Sequence, residues 1–154
     1  MGGQIWKTQD ITQRLTTENS FGGNAPKFSP SIREIVLEYN RFSGSLPSDY
    51  FADMGSLVTF DVSYNNMGWY IPESIGSASS LTYIDFSTNW FSSTLPSSLG
   101  SLKGLEYLYV STNWLVDTIP RTLAAADSAL VQVRMQTNAL SGTKNLEWKA
   151  WQNV

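Results

Sequence analysis

Residues 81–100 read Leu81-Thr-Tyr-Ile-Asp-Phe-Ser-Thr-Asn-Trp-Phe-Ser-Ser-Thr-Leu-Pro-Ser-Ser-Leu-Gly100, and the same frame recurs on both sides of them. Asn89 belongs to a series, Asn40, Asn65, Asn89, Asn113 and Asn138, with spacings of 25, 24, 24 and 25 residues. A first apolar column opens each unit at Ile32, Leu57, Leu81, Leu105 and Leu130. A second follows at Ile35, Phe60, Ile84, Leu108 and Val133, and a third at Leu37, Val62, Phe86, Val110 and Met135. Two places past each Asn stand Phe42, Met67, Phe91, Leu115 and Leu140, and then come Leu46-Pro47, Ile71-Pro72, Leu95-Pro96 and Ile119-Pro120. A fixed period of this length marks a solenoid, in which no unit buries its apolar face alone and stacking makes the core.

Each column has a physical task. The apolar-polar-apolar step between the second and third columns is the period-2 signature of a short strand with one buried face, and stacked coils pair such strands in parallel. The Asn amide both donates and accepts, so a stack of Asn side chains can satisfy turn backbone that water cannot reach. Pro fixes φ in an extended return segment and brings no N–H that would need a partner.

With these columns in one frame, the units resemble plant-type leucine-rich repeats, a family with similar units in protist surface proteins; the likeness covers about residues 32–145. The resemblance implies an α/β-type repeat solenoid with little regular helix. It implies a right-handed superhelix with a short-stranded parallel sheet on its concave face, and often a second short strand before each Ile-Pro or Leu-Pro. Units are expected to begin at residues 32, 57, 81, 105 and 130.

Terminal units must differ, because a solenoid leaves a strand edge and an open core at each end. Residues 1–31 are expected to form an N-terminal cap. Within it, residues 11–31 read either as a shortened degenerate repeat, with Asn19 to Pro26 matching Asn40 to Pro47, or as an irregular loop. Residues 146–154 are expected to cap the other end, with Leu146, Trp148 and Trp151 folding over the last coil or, alternatively, forming a ligand site.

Composition narrows the function. At 154 residues, 42% hydrophobic and 15% charged, the chain suits one globular domain. A net charge of −3 without a basic run argues against nucleic acid. The absence of Cys and His removes thiolate nucleophiles, imidazole bases, disulfides and the usual zinc ligands, so no catalytic residue, metal site or cofactor is expected. No apolar run approaches the roughly 20 residues of a membrane span, so direct membrane insertion is not expected. The family resemblance implies an extracellular or cell-surface setting. Against that stand the missing cap cysteines, the lack of an Asn-X-Ser/Thr sequon and an N-terminus without a signal-peptide apolar region.

Register turns spacing into geometry. Exposed strand positions should form columns roughly 4.8 Å apart: Glu34, Thr59, Tyr83, Tyr107, Gln132, and Val36, Asp61, Asp85, Tyr109, Arg134. Two more read Glu38, Ser63, Ser87, Ser111, Gln136, and Tyr39, Tyr64, Thr88, Thr112, Thr137. Tyr39, Tyr64, Tyr83, Tyr107 and Tyr109 are expected to supply contact area on the concave face, with Asp61, Asp85 and Arg134 setting orientation. Strand preference for Tyr and Thr would account for the same residues without a ligand. Trp90 and Trp114 should lie side by side at the sheet's rim, with Trp69 and Tyr70 extending an aromatic edge, as contact surface or as a structural stack. Asp61 and Asp85 are the nearest thing to a catalytic acid pair, but an open sheet offers no pocket to tune them, and they are expected to be ordinary solvated charges, of a kind that could face a basic patch on a partner. The expected function is a non-catalytic module binding a protein or peptide. Carbohydrate or cell-wall binding, an inhibitor-like role, and a structural subunit of a larger assembly are the alternatives.

Overall fold

The computed structural model describes residues 13–14, 22–124 and 128–142. Twelve short strands alternate between two parallel sheets. The first holds β1 (Gln13–Arg14), β3 (Glu34–Val36), β5 (Thr59–Asp61), β7 (Tyr83–Asp85), β9 (Tyr107–Tyr109) and β11 (Gln132–Arg134) in that order. The second holds β2 (Gly22–Gly23), β4 (Arg41–Gly44), β6 (Asn66–Trp69), β8 (Trp90–Ser93), β10 (Trp114–Thr118) and β12 (Ala139–Ser141). Three 3-10 turns, Glu73–Ser77, Ser97–Ser101 and Arg121–Ala124, make a third side, and among the described residues there is no α-helix. The chain is thus a leucine-rich-repeat solenoid, and the second short strand implied by the resemblance is present in each described coil.

The apolar columns fill the space between these sides. Ile35, Leu37, Phe60, Val62, Ile84, Phe86, Leu108 and Val110 are fully buried. Phe51, Phe60, Phe86 and Phe91 meet edge to face or tilted, with centroids 5.0 to 5.5 Å apart. Each such ring removed from water contributes roughly 2–3 kcal/mol. The Tyr50 hydroxyl donates to the Pro26 carbonyl at 2.9 Å, tying the segment before β3 to the next coil.

Asn side chains close the corner between the sheets. The Asn89 Nδ2 donates to the carbonyls of Phe86 and Ser87 in its own coil and of Val62 in the preceding one, while its Oδ1 accepts the Met67 N–H at 2.9 Å. Asn65 and Asn113 repeat the pattern, and Asn138 does so at the last described coil. The Asn40 Nδ2 donates to Leu37 and Glu38. The corner demands left-handed backbone just before each Asn, at Tyr39, Tyr64, Thr88, Thr112 and Thr137, with φ between 53° and 59°. A second left-handed position lies four residues after each Asn. Gly44 and Gly142 occupy it in two coils, but Trp69, Ser93 and Asp117 occupy it in the three between them, with φ of 70°, 71° and 70°.

On the third side, Pro72 and Pro96 enter the 3-10 turns in extended conformation. The Glu73 carboxylate accepts the N–H groups of Ser97 and Ser98 at 3.1 and 3.0 Å, capping the following coil's turn. Coils approach closely here: a Cβ at Gly76 would lie 2.8 Å from the Ser98 carbonyl oxygen. The expected capping residues Leu146, Trp148 and Trp151 lie outside the described residues.

Candidate functional site

From β3 to β11 the first sheet is in register: Glu34, Thr59, Tyr83, Tyr107 and Gln132 pair in sequence, and so do Val36, Asp61, Asp85, Tyr109 and Arg134. This brings three tyrosines together. Tyr83 lies 6.1 Å from Tyr107 and 5.6 Å from Tyr109, the latter pair nearly perpendicular, and Tyr107 and Tyr109 are 6.4 Å apart. The Tyr109 hydroxyl donates to Gln132 Oε1 at 2.6 Å, and the Arg134 guanidinium lies 4.7 Å from the centre of the Tyr109 ring. Burial, then the nearby Asp85 and Asp61 carboxylates, push the Tyr83 phenol well above the usual tyrosine range. Tyr39 and Tyr64 form a separate exposed stack, 4.2 Å apart and 11° from parallel.

The carboxylates depart from expectation. Asp61 is only 8% exposed and Asp85 is half-buried, so neither is an ordinary solvated charge. The cause is local: the N–H groups of Ser63 and Ser87 donate to their Oδ1 atoms at 2.9 and 2.7 Å and hold each carboxylate against the turn that follows its strand. Burial raises both acids, the serine hydrogen bonds partly offset it, and Asp85, which also feels the Asp61 charge, is pushed up to about 6. Ser63 and Ser87 are themselves buried, because the chain already bends into the Asn corner there, and Val36 in the Asp61 column is buried within the paired strands. Those columns are therefore less open than their spacing implies. Ser111 remains half-buried and donates to Ser87 Oγ at 3.1 Å.

The aromatic edge is also rearranged. Trp69, Trp90 and Trp114 are 70%, 63% and 72% exposed, and Tyr70 is exposed beside them. Trp90 and Trp114 do not stack, because the second sheet pairs Trp90 with Gly68 and Trp114 with Ser92 rather than Trp with Trp. The two indoles instead flank an open groove of about 610 Å³, lined also by Thr88, Thr112, Thr137, Val116 and Ala139. Trp69 and Tyr70 are not part of that lining. The threonines stand in the fourth column of the sheet face, but the left-handed corner sends them to the groove. Val116, two residues past Trp114, could have been found by continuing the period-2 alternation outward from the indole.

Comparison with known proteins supports the repeat fold. The sequence model of the Leucine Rich Repeat family matches residues 56–78 and 80–102. Over 60 residues, 38% of this chain, the sequence is 38% identical to the brassinosteroid LRR receptor kinase of Solanum lycopersicum, a match spanning 5% of that protein's length. Among solved structures, a chain of the BIR3–SERK2 complex from Arabidopsis thaliana is 28% identical with a TM-score of 0.74, over 91% of this chain and 76% of that one. The Arabidopsis receptor kinase HAESA, solved with the peptide hormone IDA and the co-receptor SERK1, is 33% identical with a TM-score of 0.67, over 73% of this chain and 19% of that one.

Proposed function

Starting from the chain's identity as a plant-type leucine-rich-repeat solenoid, we propose that it is a recognition module whose partner is a protein or peptide, engaged through the outer face of the first sheet. The observation that carries this reading is the in-register cluster of Tyr83, Tyr107 and Tyr109 beside Asp61, Asp85 and Arg134. Tyrosine brings a large amphipathic ring at small ordering cost, and a sheet whose side chains are already positioned loses little further entropy on binding. Tyr39 and Tyr64 would extend the contact toward the corner. HAESA's peptide and co-receptor complex supports the same partner class.

The test is a pair of affinity captures from the native source, with wild-type chain and with a Tyr83→Ala/Tyr107→Ala variant of unchanged unfolding temperature. A protein or peptide retained by the wild type is expected to be lost from the variant. Equal retention by both would move the site elsewhere.

One observation favours a second reading for the other surface. The groove between Trp90 and Trp114 is lined by indole, threonine, asparagine and aliphatic groups with no charged side chain. Flat aromatic faces beside hydroxyls suit a neutral sugar ring. A glycan array giving only background would remove that reading, leaving the groove's exposed indoles as a protein contact edge, with Trp69 and Tyr70 beside it.

A further inference from the structure

The outer face of the first sheet carries its acidic residues on the strands between two that bear arginine. Glu34 opens β3 and Glu38 follows it, Asp61 ends β5 and Asp85 ends β7, while Arg14 of β1, the register partner of Val36, and Arg134 of β11 stand at the two ends of the row. Asp61 and Asp85 are direct register partners, so about 4.8 Å separates their backbones. Among the described side chains, no ammonium or guanidinium lies within 4.0 Å of either carboxylate; Lys27 pairs with Asp49 elsewhere, on the third side of the solenoid. Two carboxylates drawn out of water with no cation of the described side chains beside them are costly, and a cation brought by a partner would offset that cost.

The same face contains an example of how such a cation is held. Arg134 rests over Tyr109, and Tyr83 stands at right angles to that ring, close enough to Asp85 and Asp61 for both to act on its phenol. A guanidinium or ammonium on Tyr83 would gain from the ring quadrupole and from two carboxylates together.

Resting on the reading of this face as a protein- or peptide-binding surface, we propose that its occupant is a basic segment. It crosses the strands in extended form and places a Lys or Arg side chain on Tyr83, between the carboxylates of Asp61 and Asp85.

A displayed library of random 12-residue peptides, selected on the folded wild-type chain, tests this. Selected peptides should be enriched in Lys and Arg. They should lose at least about tenfold in affinity when that residue is changed to Gln, or when the chain carries Asp61→Asn and Asp85→Asn together. The asparagines keep the Oδ1 acceptors for Ser63 and Ser87, so the unfolding temperature of that variant should not fall. Peptides without basic enrichment that bind the Asn variant equally, yet lose affinity for Tyr83→Ala/Tyr107→Ala, would overturn the basic segment and leave the binding face standing. Peptides indifferent to the tyrosine pair, or a library yielding no binder, would count against both.

Discussion

The same coils build both sheets, from strands of similar length, yet the two sheets are assembled differently. From β3 to β11 the first sheet sets equivalent positions side by side, so Asp61 meets Asp85 and Tyr83 meets Tyr107. In the second sheet, the residue just after each Asn pairs with the residue three places after the preceding Asn: Asn66 with Ser43, Trp90 with Gly68, Trp114 with Ser92, and Ala139 with Val116. Equivalent residues there slide by two positions per coil, or about 6.6 Å along the strand. One face therefore presents columns on which like side chains accumulate. The other presents diagonals on which like side chains separate, and the groove between Trp90 and Trp114 follows from that separation.

The contrast can be broken most severely at the corner that both sheets share. Asn89→Ala removes the amide that serves Phe86, Ser87, Val62 and Met67, leaving buried backbone groups in two coils without partners. A loss of about 3–5 kcal/mol in chemical denaturation is expected, with both sheets affected. A second change acts on the in-register sheet alone. Because the folded Asp85 titrates near 6, above an unfolded aspartate at about 4, its ionisation opposes folding: its contribution is fullest below pH about 4 and is lost as pH rises through about 6. Asp85→Asn should raise stability at pH 7 by about 1–2 kcal/mol and flatten the pH dependence between those values.

Ser93→Gly addresses the sheared sheet. Its φ of 71° belongs to the region that glycine fills in the equivalent places at 44 and 142, and relief of that conformation should add about 1 kcal/mol to stability. The smallest effects come from double-mutant cycles in denaturant. Tyr39 and Tyr64, stacked at 4.2 Å, should couple by about 0.5–1.5 kcal/mol, whereas Trp90 and Trp114 should couple by less than about 0.3 kcal/mol. A coupling at the indoles as large as at the tyrosines would mean that the second sheet is not sheared in solution.

What the sequence makes legible follows the same division. The spacing of Ile35, Phe60, Ile84, Leu108 and Val133 reports coil length directly, so the strands, their parallel pairing and the proximity of Tyr83 to Tyr107 could be read from it. It does not report how far a strand slides against its neighbour, and the separation of Trp90 from Trp114 was illegible for that reason. The burial of Asp61 is not legible either, because alternation assigns a direction to a side chain but not the depth to which a turn draws it; the Ser63 N–H decides that depth. Trp69, Ser93 and Asp117 gave no sign of left-handed backbone, since the signal is a glycine and these coils lack it.

The direction of the asparagine bonds bears on how the protein is made. Each ladder amide from Asn65 onward reaches back to the coil before it: Asn65 accepts the Phe42 N–H, Asn89 that of Met67, Asn113 that of Phe91 and Asn138 that of Leu115. A coil emerging from the ribosome is thus finished only when the Asn of its successor has been added. At ordinary translation rates of about 5–20 residues per second, the growing chain carries one unclosed corner for a few seconds at a time. Closure then proceeds from the N-terminus one coil behind synthesis, with each newly made unit acting as the latch of the one before.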